Sequence, residues 1–265
     1  LIESTLRQGD TGSDVRALQT ALRRLAPGLA ADGWFGPATH AAVLAAQQTL
    51  GLVADGIAGP KTLRALALGA KPPALLGTGD LQRAADQLGV PLAAVQAVNE
   101  VESRGQGFLA DGRPVILFER HIMYRQLAAA GLPADRYLAT APSVVGKTRG
   151  GYLGGAAEHA RLNQARAINE DCAIASASWG AFQIMGFHWP QLGYASAQHF
   201  ERHMQRSEGD QLDAFVRFVL ADPALHSALQ AGKWAKFAAR YNGPAWRDNF
   251  YDVRLARAFD RYSAA

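Results

Sequence analysis

Residues 91–107 read PLAAVQAVNEVESRGQG, and their spacing predicts one helix with a carboxylate on its apolar side. Pro91 suits the first helical position, where a missing N–H costs nothing. Leu92, Val95, Val98 and Val101 recur at helical spacing and build an apolar face. At roughly 100° per residue, Glu102 falls near the middle of that face, one turn past Val98. Glu100 projects to the opposite side with Gln96 and Arg104, as a solvated charge. Ser103, Arg104 and Gly105 end the periodicity. A carboxyl group held against apolar walls has its acid form favoured by desolvation. A general acid working near neutral pH requires that. The same pattern admits a plainer reading, a glutamate at a helix end that bends out to water or pairs with an arginine.

Downstream, Asp111-Gly112 between apolar runs is a hairpin signal. Pro114 confines the following strand, Val115 to Phe118, to an edge or to a start just after it. Glu119 closes that strand and is a second carboxylate with access to a cleft beside the Glu102 helix. Its alternative is a salt bridge that supports the wall. Upstream, Asp80 sits as a helix cap before Leu81, Ala84, Ala85 and Leu88. Residues 69–79, GAKPPALLGTG, read as a linker, since Pro72-Pro73 forbids helix.

Residues 1–68 carry an internal repeat. Asp32-Gly33-Trp34-Phe35-Gly36-Pro37-Ala38-Thr39 returns as Asp55-Gly56-Ile57-Ala58-Gly59-Pro60-Lys61-Thr62, the shared pattern being DGxxGPxT. Asp-Gly makes a tight turn, and Gly-Pro starts the next helix. Three short helices are expected around two matching loops: Val15, Leu18, Leu22 and Leu25 on the first, Val43, Leu44, Gln47 and Leu50 on the second, Leu63 and Leu66 on the third. Trp34 and Phe35 are candidate stacking groups for a sugar or peptide, or core.

Beyond residue 120, GGYLGG (150–155) reads as a turn before a helix from Ala156 to Asn169. It is no nucleotide loop, because no GKS or GKT follows. SASWGAFQIMG (176–186) is rich in small residues and places the Gln183 amide among apolar neighbours, with Ser178 nearby. Such an amide wants partners from substrate, a catalytic carboxyl or backbone. Arg202 to Leu220 reads as one helix. Lys233 to Tyr241 reads as another, stopped by Asn242-Gly243-Pro244. The last helix, Tyr251 to Tyr262, puts Val253, Leu255, Ala256 and Phe259 inside and Arg254, Arg257, Asp260 and Arg261 outside.

The totals narrow the function classes. The 265 residues are 49% hydrophobic and carry 27 Lys and Arg against 23 Asp and Glu, a formal net charge of +4. This mild excess suits a polyanionic partner such as a cell wall or nucleic acid, and solubility alone is enough to explain it. No stretch reaches the ~20 apolar residues of a membrane span. LIESTLRQGD shows no signal-peptide pattern. One cysteine, Cys172, excludes an internal disulfide framework. Arginines scattered among acids argue against nucleic acid. His199 and His203 lie one helical turn apart but lack HExxH, a nearby cysteine or a third ligand, so neither metal nor cofactor is expected.

Two resemblances emerge. LRQGDTGSDVRALQTALRRL, DGWFGPAT, Gln47 and GLVADGIAGPKTLRAL resemble the peptidoglycan-binding domain carried by many cell-wall hydrolases. Val101-Glu102-Ser103, then SWGAFQI (178–184), then Tyr241-Asn242-Gly243 follow an order similar to goose-type lysozymes and soluble lytic transglycosylases. There a glutamate-serine, a Gly-x-x-Gln-Ile segment and a Tyr-Asn pair enclose the active site. VESRGQGFLADGRPVILFERH, GGYLGG and SASWGAFQIMGFHW resemble, over residues 80–265, the N-acetylmuramidase domain of modular phage endolysins.

The resemblance implies a mainly α chain. A three-helix peptidoglycan-binding domain (1–68) is joined by the linker (69–79) to a lysozyme-like helical catalytic domain (80–265) with a small β-hairpin. It implies hydrolysis of the β-1,4 bond between N-acetylmuramic acid and N-acetylglucosamine. Glu102 is then the acid and base, Glu119 the candidate second group, and Ser178, Gln183, Tyr241, Asn242, Trp34 and Phe35 the substrate contacts. A monomer held in the host cytoplasm until lysis is expected, acting on the wall, in the periplasm of a Gram-negative host. The basic last helix offers contact with lipopolysaccharide or anionic membrane, a use known among such endolysins. A lytic transglycosylase, giving 1,6-anhydromuramic products with the same glutamate, is the alternative. A non-catalytic wall-binding protein is a further one, against which the intact Glu102 and Gln183 argue.

Overall fold

The computed structural model describes residues 4–103, 106–243 and 246–264. Arg104, Gly105 and Pro244, read above as helix-ending residues, lie outside them. The chain divides into two compact units, 1–82 and 83–265.

In the first unit, α1 (Ser13–Leu22), α2 (Pro37–Thr49) and α3 (Pro60–Leu68) enclose a core of Val15, Leu18, Leu22, Phe35, Val43 and Leu66. Both Gly-Pro pairs start helices, with Pro37 and Pro60 in the first turn. Leu25 falls beyond the end of α1 and is exposed, against its expected place on the apolar face. The repeated loops owe their shape to two buried glutamines. The Gln47 side-chain N–H groups reach Asp55 Oδ1 (2.7 Å), the Ile57 carbonyl (3.0 Å) and Thr62 Oγ1 (3.1 Å). Its carbonyl accepts the amides of Asp55 (3.1 Å) and Gly56 (2.9 Å). Gln19 repeats the arrangement with Asp32 (2.8 Å), the Trp34 carbonyl (3.0 Å), Thr39 (2.9 Å) and the Gly33 amide (2.9 Å). The Asp, Gly and Thr of DGxxGPxT are thus the partners of one buried amide. Gly33 (φ 84°) and Gly56 (φ 72°) take the left-handed backbone that this turn needs.

The helix α4 (Thr78–Leu88) spans the division between the units. It starts two residues before Asp80, whose carboxylate accepts the Gly77 amide (2.8 Å). Next, α5 (Leu92–Glu102) buries Val95, Val98 and Val101, and its alanines 93, 94 and 97 allow close approach. After it, Asp111-Gly112 makes a tight turn, with the Leu109 amide on the Arg113 carbonyl (2.7 Å) and a single bridge at Phe108–Pro114. The turn does not continue into a ladder. Instead β1 (Ile116–Phe118) pairs with a strand about sixty residues on.

The order continues with α6 (Arg120–Ala129), α7 (Ala134–Thr140), α8 (Ala156–Arg166) and α9 (Glu170–Ala175). Where one helix to Asn169 was expected, Asn169 caps α9, its side chain accepting the Cys172 amide (2.9 Å). Then β2 (Ala177–Trp179) and β3 (Ile184–Met185) complete an antiparallel sheet in the order β1-β2-β3, with Leu117 opposite Ser178 and Ser178 opposite Met185. A short 3-10 turn, Gly186–His188, leads onward. The helix expected over Arg202 to Leu220 is two, α10 (Ala197–Arg206) and α11 (Glu208–Leu220). Ser207 separates them as the N-cap of α11, its hydroxyl accepting the Asp210 amide (3.1 Å) and donating to the Asp210 carboxylate (2.7 Å). Last come α12 (Pro223–Gln230), α13 (Trp234–Asn242) and α14 (Tyr251–Ser263). The helix α14 lies along α5 and buries Leu255 and Ala258, while Val253, expected inside, is exposed. Glu100 is on the surface as expected, accepting from Tyr262 Oη (2.9 Å) and paired with Arg261.

Replacing Gln47 by Leu keeps the volume but removes the acceptor of the buried Gly56 amide. The calorimetric transition of the first unit is expected to lose about 1–3 kcal/mol. A transition that stays in place would show that the amide does not hold the loop.

Candidate active site

The sheet, the C-terminal ends of α5 and α13, and the glycine-rich turn before α8 surround a cleft of about 600 Å³. Glu102, the last residue of α5, lines it half-exposed. Asn242, the last residue of α13, donates from Nδ2 to Glu102 Oε1 (3.0 Å). Ser103, which follows Glu102, is buried and donates to the Asn99 carbonyl one turn back. Glu102 is the one carboxylate among the described residues lining the cleft.

The β2–β3 turn forms the facing wall. Gln183 was expected buried but is exposed to the cleft, and it takes a left-handed backbone, φ 51°. Its Oε1 accepts from Ser178 Oγ (2.7 Å) and its Nε2 donates to the Gly180 carbonyl (2.8 Å). The amide therefore reaches the cleft in one fixed orientation. A non-glycine residue in this backbone region is strained and concentrates at functional sites.

Tyr241 was expected to contact substrate or the acid. Its hydroxyl instead donates to the Phe182 carbonyl at the tip of this turn (2.8 Å), and its ring stacks on Phe237. Burial first, and the Glu102 charge second, push its phenol well above the ordinary value. Tyr241 is thus a neutral strut. It holds the turn to α13 while its neighbour Asn242 holds the glutamate. The Tyr-Asn pair connects the two walls through one helix end.

Glu119 does not line the cleft. It sits before α6, with Oε2 accepting from Tyr152 Oη (2.7 Å) and 3.1 Å from His121 Nδ1. The Phe118-to-Arg120 turn aims it at the glycine-rich loop, so the second catalytic carboxylate expected there is not in place. Burial lowers the His121 pKa, with the Glu119 charge opposing. In the first unit, Phe35 is fully buried in the core, which removes it as a stacking surface. Trp34 is 54% exposed, with its indole folded over Gly36, where a Cβ would fall 2.7 Å from the ring.

Several residues that the sequence did not flag complete the site. His188, Phe218 and Tyr251 also line the cleft. Burial lowers the His188 pKa, with its hydrogen bond to Gln191 opposing. Behind the wall, Glu158 and Arg161 of α8 replace a fourth strand beside β1. Glu158 accepts the amides of Phe118 (3.0 Å), Leu153 (2.6 Å) and Gly154 (3.0 Å), and Arg161 donates to the Phe118 carbonyl (2.8 Å) and to Glu158 (2.8 Å). An i,i+3 Glu-Arg pair on a helix ordinarily signals a solvated face. Nothing in its spacing marks this one as buried.

Among the described residues no group of three His, Cys, Asp or Glu is placed to hold a metal. His199 Nδ1 accepts the Ala195 amide (3.2 Å), and His203 Nε2 lies 3.1 Å from Asp213. Cys172 is buried.

Residues 91–263 match the N-acetylmuramidase family, and residues 11–66 match a peptidoglycan binding domain. A solved structure described as that of a Burkholderia AP3 phage endolysin is similar to the whole chain. It shares 59% sequence identity over 99% of this chain and 100% of that one, with a TM-score of 0.92. No curated protein matches.

Glu158 gives a pH test of the wall. Burial raises its pKa, but the three amides and the Arg161 charge outweigh it, and the net shift is downward from 4.5. A depressed carboxyl contributes stability above its unfolded value, which is lost as pH falls through the folded one. Glu158→Gln is expected to cost about 3–5 kcal/mol at neutral pH and to flatten the loss of stability below pH 4.5. An acid denaturation profile identical to that of the unmodified protein would contradict this.

Proposed function

Because the chain belongs to the N-acetylmuramidase family, we propose that this glycoside hydrolase is an endolysin that cuts the β-1,4 bond between N-acetylmuramic acid and N-acetylglucosamine, with Glu102 as acid and then base. The observation that carries this is the single glutamate among the described residues of the cleft walls, held by Asn242 and sharing the cleft with the anchored amide of Gln183. The Glu102 carboxyl gives its proton to the glycosidic oxygen as the C1–O bond breaks. Water then adds to C1 and returns a proton to the carboxylate. A retaining reaction needs a second carboxylate about 5–5.5 Å away as nucleophile. None lies on the described walls, so the Glu102 carboxylate, once it has given up its proton, is the group at hand to take the proton of the attacking water. Neutral dipoles at Ser178 and Gln183 orient that water and support the positive charge at C1.

The first unit is the wall-binding domain, with Trp34 as its sugar-stacking face. The boundaries at 1–68, 69–79 and 80–265 are our reading of where binding, linker and catalysis lie. The protein acts on the wall during host lysis, after waiting in the host cytoplasm. No helix among the described residues is long and apolar enough to cross a membrane.

The same lone carboxylate also favours a second reading. In a lytic transglycosylase the muramic acid's own 6-hydroxyl replaces water and gives 1,6-anhydro ends. Mass spectrometry of muropeptides released from purified peptidoglycan separates the two, with Glu102→Gln run alongside. Reducing muramic acid ends from the unmodified protein, and none from Glu102→Gln, are expected. Anhydro ends would favour the second reading, while an active Glu102→Gln would discard the site.

On α14, Arg254 and Arg257 are exposed near the exposed Phe250 and Val253, and Arg261 is also outside. This surface fits the acidic headgroups of lipopolysaccharide or an anionic membrane. Replacing the three arginines by Ala is expected to reduce killing of whole cells and to spare activity on purified walls. Equal losses on both would sink this contact.

A further inference from the structure

We propose that Gln211 is a positioning residue for the reaction, its buried amide joining the loop after Glu102 to the turn that carries Gln183. This rests on the reading of Glu102 as the acid. Gln211 lies on α11 beneath the cleft and is 1% exposed. Its Nε2 donates to the Gly107 carbonyl (3.2 Å) and to the Met204 carbonyl (2.9 Å), and its Oε1 accepts the Ala181 amide (2.8 Å). Reversing the amide would face N–H against N–H and oxygen against two carbonyls, so its orientation is fixed. Gly107 follows Glu102 by five residues, and Ala181 precedes Gln183 by two. One side chain therefore bonds to both cleft walls, which are far apart in sequence.

The backbone is shaped for this contact. A Cβ at Gly107 would lie 2.2 Å from Gln211 Oε1, and one at Gly180 would lie 2.5 Å from Gln211 Cδ. Both walls thus approach the amide as closely as only glycine permits. Glu208, one turn earlier on α11 and 2% exposed, accepts the Gly107 amide (2.9 Å). Both peptide groups of Gly107 are therefore held from α11. On the other side, the Gly180 carbonyl accepts Gln183 Nε2, so the residue beside the Gln211 contact also fixes the Gln183 amide. A shift of Gln211 moves the acid loop and the Gln183 turn relative to each other.

The test is Gln211→Met in the full chain, which keeps the volume and removes all three hydrogen bonds. Steady-state kinetics on a soluble peptidoglycan fragment are expected to show kcat reduced ~10- to 100-fold, the scale of a small misplacement of reacting groups, with KM within about threefold. Near-ultraviolet circular dichroism checks that the variant folds. Unchanged kcat, or a raised KM at unchanged kcat, overturns the proposal. If the Met variant does not fold, Gln211→Glu keeps the acceptor for Ala181 and regains one donor when protonated. Its kcat relative to the unmodified protein is expected to fall below one and to recover as the pH is lowered. A ratio of one at every pH overturns the proposal. Glu102→Gln is assayed in parallel. If it is active, the acid assignment fails. If it is inactive while Gln211→Met is unimpaired, only the positioning role fails.

Discussion

A buried loop carries peptide groups that no helix or strand pairs, and each must find a partner away from water. In this chain the partners are long polar side chains reaching out of neighbouring helices. Gln19 and Gln47 do this for the two repeated turns of the first unit. Glu158 does it for the outer edge of β1 and the glycine-rich turn. Glu208 and Gln211 do it for the loop after the Glu102 helix and for the β2–β3 turn. Three strands of two or three residues are too short to hold a cleft open by themselves. The side-chain contacts give irregular walls the rigidity that a larger sheet supplies elsewhere.

The same arrangement sorts the carboxylates. Glu158 and Glu208 are buried and committed to backbone amides, and Glu119 to Tyr152 and His121. Glu100 is held on the surface by α14. Glu102 alone among the described wall residues brings a carboxyl to the cleft. Its known partner, Asn242, is neutral, and the nearby phenol of Tyr241 stays protonated. The polar groups around Glu102 are therefore mostly fixed dipoles, which need little reorganisation when a nearby charge changes.

Much of this was legible in the sequence. The apolar period of 92–101 placed Glu102 and Glu100 on the faces they occupy. DGxxGPxT marked both turns, and the Ser178, Gln183, Tyr241 and Asn242 segments do meet in one cleft. What periodicity could not reach was pairing between distant segments. The strand after Asp111-Gly112 looked like half of a local hairpin, yet its partner is β2. Glu119 was within reach of a cleft by position, but the turn into α6 points it elsewhere. Phe35 and Trp34 are neighbours of similar chemistry, and only packing tells which is core. Gln211 carries no local signal, because its meaning lies in two glycines that fold against it from elsewhere in the chain. The Ser207 break carries an N-cap residue type, masked by the apolar period on either side.

The two repeated turns also separate what is fixed from what is free. At the first variable position of DGxxGPxT, the fold uses only main-chain groups: the amide of Trp34 or Ile57 meets the aspartate, and the carbonyl meets the glutamine. The side chain itself takes no part in the knot. One copy accordingly displays a large exposed indole there, and the other a half-buried isoleucine. Such a site is an interchangeable fitting on a constant frame. Its surface chemistry is free to diverge without renegotiating the fold beneath it.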